Sequence, residues 1–250
     1  MLTKLQQIII ALSMAINVSY AETLTIRADY WYPMNGESSS AHPGYMIELA
    51  RAIFEPKGVK VDYDTMPWIR AIQQTREGEF DCVVGAYKND APDFLFPNEH
   101  WGKDQTTFYV MKQDAWRYDQ ALTSLKNRQI GTISGYSYGK TLDQYFAENK
   151  VQEVSGDHAL DTNIKKLLSG RIDTIIESEY VMQSQLSLLQ LSEVIIAAGQ
   201  TQQGFPMYFA CGPNNPKSAR WIELVNETLP KLKASGKFEA ILHRYGISSW

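Results

Sequence analysis

The segment Gly78-Glu79-Phe80-Asp81-Cys82-Val83-Val84 returns at a fixed offset as Gly170-Arg171-Ile172-Asp173-Thr174-Ile175-Ile176. In each copy a polar helix end runs into a glycine suited to a left-handed cap, then into an apolar residue, an aspartate and a run too short for a helix. Runs of this kind are interior strands of parallel sheets. Unless the recurrence is coincidental, since Gly-x-apolar-Asp before a strand is common, the chain folds as two similar α/β lobes. Ligands of open α/β sheets bind beyond the carboxyl ends of the strands. Gly85 and Glu177 hold the same place in the two copies, so both are expected on a cleft between the lobes.

The N-terminus sets the compartment. Lys4 precedes an apolar run from Ile8 to Val18, and Ser19-Tyr20-Ala21 has small residues where a signal peptidase reads them. That run is too short for a stable bilayer span, so residues 1–21 are expected to be a leader cleaved after Ala21; a buried N-terminal helix or an uncleaved anchor is the alternative. Removing them takes away Lys4 and no acid, which moves the formal charge from -4 to -5. Nucleic acid is disfavoured as a partner, because a phosphate backbone requires a basic surface and the chain has no Lys/Arg cluster. Cys82 and Cys211 lie in apolar, strand-like runs; buried free thiols are the expectation, with a disulfide in an oxidising compartment as the alternative.

Elements alternate along the chain. Leu24–Ala28 reads as a strand, and Met46 to Phe54 has helical spacing that Pro56 and Gly58 stop before the strand Lys60–Tyr63. A helix from Trp68 to Glu77 and the strand Phe80–Ala86 complete a β-α-β-α-β unit, whose right-handed crossovers make its sheet mostly parallel. Thr106–Met111 reads as an extended crossing segment. The order then repeats: strand Gln129–Ile133, helix Gly139–Asn149, strand Val151–Val154, helix Asp157–Leu168 with Asp157 as N-cap, and strand Asp173–Glu177. A helix around Val181–Leu191, an apolar run Met207–Cys211 and two amphipathic helices separated by Gly236 follow, with Pro230 expected to kink the first of these or start a fresh turn. A chain that crosses out and back makes a two-strand hinge, which permits closure around a ligand.

Asp29-x-x-Tyr32-Pro33, Gly44-Tyr45-Met46-Ile47-Glu48-Leu49-Ala50, Pro67-Trp68, Gly78-Glu79-Phe80-Asp81, Gly85, Phe96-Pro97, Gly135 and Gly170-Arg171-Ile172-Asp173 occur in this order. In that succession the chain resembles the bacterial extracellular solute-binding proteins of family 3, the periplasmic receptors of polar amino-acid ABC transporters. The resemblance spans nearly all of the chain after the leader. It implies a two-lobed α/β fold of periplasmic-binding-protein type II, with residues 22–104 and 203–250 in one lobe and 105–202 in the other. It also implies a periplasmic monomer that binds a small-molecule ligand and docks on a membrane permease, without catalysis, cofactor or metal.

The resemblance further implies residue roles. Tyr32 and Trp68 match positions that sandwich the ligand between aromatic faces, unless they pack as core. Asp29 matches an acidic position near the ligand's amino group, or is a solvated strand end; Gly85 matches a backbone contact, or is a plain turn. Gly135-Tyr136-Ser137-Tyr138-Gly139 matches a carboxylate-holding turn, whose N–H groups at a helix start suit an anion, with Ser137 as a simple N-cap the alternative. Glu177 matches an acid that pairs with the ligand's ammonium, although the usual position falls on Ser178; a structural salt bridge is the other reading, and Glu177 is preferred to Glu179. The pattern departs in one place: the arginine that clamps an α-carboxylate after the strand-end glycine is missing from Lys88-Asn89-Asp90-Ala91-Pro92-Asp93, and Tyr87 stands where a threonine is common. Lys88 or Arg70 supplies the positive charge, or both are surface residues.

Three functions compete on these residues: a transport receptor, a dehydratase-like enzyme of the same fold using Glu177 and Lys88, and a soluble sensory partner of a membrane receptor. The four histidines, His42, His100, His158 and His243, have no Cys or acid partners at metal-ligand spacing. Neither a nucleophile elbow nor a phosphate-cradling glycine loop is present. The receptor is the leading expectation.

Overall fold

A computed structural model describes residues 22–202 and 204–248; the expected leader and its cleavage after Ala21 lie outside the described residues. The first β-α-β-α-β unit consists of β1 (Glu22–Ala28), α1 (Tyr45–Phe54), β2 (Val59–Thr65), α2 (Trp68–Glu77) and β3 (Cys82–Ala86). After the short strand β4 (Gly102–Asp104) and the crossing strand β5 (Thr106–Met111), the unit recurs as β6 (Ile130–Ile133), α3 (Lys140–Glu148), β7 (Gln152–Val154), α4 (Ala159–Leu168) and β8 (Thr174–Ser178). Helix α5 (Glu179–Leu188), β9 (Ile195–Gln200), the returning strand β10 (Phe205–Cys211), α6 (Ser218–Ala234) and α7 (Lys237–Arg244) complete the chain.

The strands form two five-stranded sheets, ordered β2-β1-β3-β10-β4 and β7-β6-β8-β5-β9. In each, the three strands of the repeated unit run parallel and two antiparallel strands extend the sheet. The two sheets therefore share one strand order, and the sequence repeat is a repeat of lobes.

Its aspartates have a structural task. Asp81 Oδ2 accepts the Thr25 N–H at 2.7 Å while its own N–H donates to Thr25 Oγ1 at 2.8 Å. Asp173 Oδ2 accepts the Gln129 N–H at 2.7 Å and its N–H donates to the Gln129 carbonyl at 2.8 Å. In both lobes the aspartate thus ties the entry of the third strand to its parallel neighbour, satisfying donors that the ladder leaves over. Gly78 and Gly170, both at positive φ, turn the chain out of α2 and α4 toward these ties.

The lobes are joined at two neighbouring crossings. Gln105, between β4 and β5, donates from Nε2 to the Thr201 carbonyl at 3.0 Å, and the Thr201 N–H donates to the Thr106 carbonyl at 2.9 Å. These bonds lace the outgoing strand to the returning one, so the two crossings bend as one hinge.

Several expectations are corrected. Helix α4 begins at Ala159 after His158, and Asp157 makes no cap. Helix α6 runs unbroken through Pro230. Strands β4 and β9 carry too little alternation to be read as strands in the sequence. The cysteines are not free thiols: Cys82 and Cys211 form a disulfide, because the antiparallel register of β3 and β10 sets them directly opposite, with Cα atoms 4.0 Å apart.

That bond closes a loop of 129 residues, and its removal is expected to cost roughly 2–4 kcal/mol, chiefly by freeing the unfolded chain. Urea unfolding of a Cys82→Ala/Cys211→Ala variant, or of the wild type in reductant, should show a lower midpoint than the oxidised protein.

Candidate ligand-binding cleft

The carboxyl ends of β1, β3, β6 and β8 face one another across the hinge, where the backbone leaves its strands and side chains from both lobes converge. The cleft there is narrow, with a cavity of about 30 Å³. From the first lobe come Asp29 and Trp31 after β1, Trp68 at the start of α2, and Gly85, Tyr87 and Asp90 at and beyond the end of β3. Tyr136, Ser137 and Tyr138 after β6 and Glu177 and Ser178 at the end of β8 come from the second, with Asp104 and Thr106 at the hinge.

Trp31 is the centre of this arrangement. Its indole N–H donates to Glu177 Oε1 at 2.9 Å, and its ring meets Tyr87 and Tyr136 edge-on, at centroid distances of 6.3 and 6.4 Å. Tyr136 Oη donates to Asp29 Oδ2 in a second bond between the lobes. In a third, the Ser137 N–H donates to Asp90 Oδ1 at 3.2 Å. Tyr87 Oη and Ser178 Oγ both donate to the Asp104 carboxylate, at 2.7 and 2.5 Å. Gly85 has φ 81°, and a Cβ there would lie 3.4 Å from the Trp31 ring, so a side chain would disturb both the turn and the indole.

Burial governs the electrostatics. Desolvation raises Asp29 to about 6 despite the hydrogen bond from Tyr136, and raises Asp104 to about 6 against the bonds from Ser178 and Tyr87. Asp90 is pushed up to about 7 by burial, which outweighs the N–H groups of Tyr87 and Ser137. Glu177, 1 % exposed, is raised to about 8 by burial, with the charges of Asp104 and Asp29 adding to it. Its Oε2 is buried without a hydrogen-bond partner.

Of the residues expected on the cleft, Asp29, Trp68, Gly85, Tyr87, Tyr136, Ser137 and Glu177 line it. Four do not. Tyr32 turns away to pack 5.9 Å from the Tyr245 ring; the bridge between Trp31 and Asn35 presents Trp31 to the cleft instead. Arg70 is exposed on α2. Lys88 is exposed, with Nζ over the rings of Phe96 and Tyr208. Gly135 sits at the rim, where a Cβ would come within 3.0 Å of Ile69 Cβ in the opposite lobe. The N–H groups of its turn are not open to an anion: Ser137 N–H is bonded to Asp90, and Tyr138 N–H donates to Asp143 Oδ1 at 2.7 Å.

Sequence reasoning missed Trp31, Asp90, Asp104 and Tyr138. Trp31 adjoins the expected Tyr32, and Asp90 lies in the segment noted only for its missing arginine. Glu179 stays off the cleft and bonds Gln183 and Gln200, whereas Glu177 and Ser178 both line it.

The profile of the bacterial extracellular solute-binding proteins, family 3, matches residues 24–248. Among solved structures, an ancestral arginine-binding protein bound to glutamine is 21 % identical at a TM-score of 0.74, covering 89 % of this chain and 97 % of that one. An ABC uptake transporter substrate-binding protein from Streptococcus pneumoniae with bound histidine is 16 % identical at 0.74, covering 89 % and 92 %. A putative L-cystine ABC transporter protein from Listeria monocytogenes is 17 % identical at 0.72, covering 91 % and 98 %. At such identities the likeness is one of fold. No curated protein matches the sequence.

The raised carboxyl groups make a pH prediction. The closed, ligand-free chain holds protons at Asp29, Asp90, Asp104 and Glu177 that the unfolded chain releases near pH ~4. These groups therefore favour the closed fold fully below that pH, and the advantage is lost as pH rises through about 6 to about 8. The melting temperature of the ligand-free protein should fall across this window, and less steeply in Glu177→Gln, which has no proton to lose there.

Proposed function

We propose that this chain, which belongs to the bacterial extracellular solute-binding proteins, family 3, and has their two-lobed type II periplasmic-binding fold, is the exported receptor of an ABC importer. Its lobes close on a small polar solute, an amino acid or a related compound, and present the closed face to a membrane permease. The observation that carries this reading is the convergence of Asp29, Trp31, Trp68, Tyr87, Tyr136 and Glu177 from both lobes onto one cleft at the strand ends, beside a laced two-strand hinge. A solute there touches both lobes at once, so its binding energy is spent on closure.

The remaining parts follow from the same reading. Residues 22–104 and 203–250 make the first lobe and 105–202 the second; residues 1–21 are a leader removed after Ala21, and the mature chain works in the periplasm as a monomer. Trp31 and Trp68 bury the solute's apolar or cationic part, and Asp29 and Glu177 bind its ammonium group. Gly85 and Ser137 line the cavity with backbone. The cleft acids are held by aromatic and hydroxyl donors, an arrangement suited to binding, and we read the protein as a receptor in preference to an enzyme. Structural neighbours include both ABC transporter substrate-binding proteins and a histidine kinase sensor domain, and it is the match to the solute-binding family that supports the transport role.

A thermal-shift screen of the mature protein with amino acids, opines, amines and small carboxylates tests the proposal. A cognate solute at a hundred times its Kd should add about 2.7 kcal/mol of stability, and that gain should vanish in Trp68→Ala. A solute consumed on incubation with the protein would overturn the receptor reading in favour of an enzyme.

A further inference from the structure

We propose that the solute is a small organic cation without a carboxylate, an aliphatic amine or guanidine, and that Asp90 fills from within the chain the place where a ligand's carboxylate would meet the second lobe. The proposal rests on the cleft being the solute site.

The cleft walls carry Asp29, Asp90, Asp104 and Glu177 and, among the described residues, no Lys, Arg or His. The two cations near enough to be considered, Lys88 and Arg70, are exposed outside it. A solute bringing its own carboxylate would add a fifth acid to a partly desolvated space without a counter-charge, which is costly. A cation reverses that sign for all four groups at once.

The Ser137 and Tyr138 N–H groups, which could hold an anion, are already used. Asp90 reaches across the cleft, accepting the Tyr87 N–H at 2.8 Å with Oδ2 and the Ser137 N–H at 3.2 Å with Oδ1. Asp143 takes the Tyr138 N–H and, at 2.6 Å, the Ser137 hydroxyl. The chain thus supplies its own carboxylates to the turn between β6 and α3.

A missing cation is marked independently. Glu177 is fully buried in the cleft wall, its Oε1 is bonded to Trp31 and to the Ser178 N–H, and its Oε2 has no partner. A buried carboxyl oxygen requires a hydrogen-bond partner, and an ammonium or guanidinium that displaces the proton Glu177 holds in the ligand-free chain supplies one, while the faces of Trp31, Trp68 and Tyr136 attract its charge. Among the described residues no three His, Cys, Asp or Glu side chains are placed to hold a metal ion, so the cation is organic.

The test uses two pairs whose members differ chiefly by one carboxylate: agmatine against arginine, and 1,4-diaminobutane against ornithine, titrated calorimetrically into the mature protein. In at least one pair the carboxylate-free member should bind about 10-fold or more tightly than its partner. Arginine and ornithine binding as well as their counterparts overturns the proposal and leaves the receptor reading standing. Silence from all four compounds also overturns it; the receptor reading falls with it only if the wider screen is silent too. Asp90→Ala and the milder Asp90→Asn should both narrow the preference for the carboxylate-free member, and an unchanged ratio in folded variants overturns the part given to Asp90.

Discussion

Four carboxyl groups drawn out of water, with no basic side chain in the same walls, set the terms on which the two lobes meet. Their desolvation opposes closure, and it is only partly offset by donors from the opposite lobe: Trp31 to Glu177, Tyr136 to Asp29 and Ser137 to Asp90. Each of these bonds joins one lobe to the other. The contacts that hold the cleft shut are therefore the ones that a solute bound there, as proposed, would share or replace, and its charge would decide whether closure becomes more or less favourable.

The scaffold beneath is conservative by comparison. Each lobe repeats the 2-1-3 order of parallel strands and adds the antiparallel pair through which the chain leaves and returns. Asp81 and Asp173 tie the third strand at equivalent places, while α1, α6 and α7 pack into the first lobe's core with Phe54, Trp221 and Phe238 buried. Rigid sheets on either side confine bending to the laced segment around Gln105 and Thr201, one residue from Asp104 in the cleft. The carboxyl group of Asp104 in the cleft thus sits beside the laced crossings.

The fold was legible in the sequence because its evidence is periodic: the helix-Gly-Asp-strand unit occurs twice, and the third strand of each unit, buried almost throughout, is a short apolar run. The cleft was legible where a residue sits on that repeat, as Gly85 and Glu177 do. It was not legible in loops. Whether Trp31 or Tyr32 faces the cleft depends on a turn closed against Asn35, and Asp90 is placed on it by a contact with Ser137, forty-seven residues away and in the other lobe. The cysteines show the same limit from another side: their apolar settings suggest inert thiols, and only the antiparallel register of β3 and β10 puts them face to face.

That register has a topological result. Since β5, α3, α4, α5 and β6 to β9 all lie between Cys82 and Cys211, the disulfide makes the entire second lobe a loop emerging from a covalently sealed base. A protease that nicked either crossing strand would leave every fragment still attached, and the first lobe, with its C-terminal helices, would remain stapled together while its mobile partner swung on a single tether.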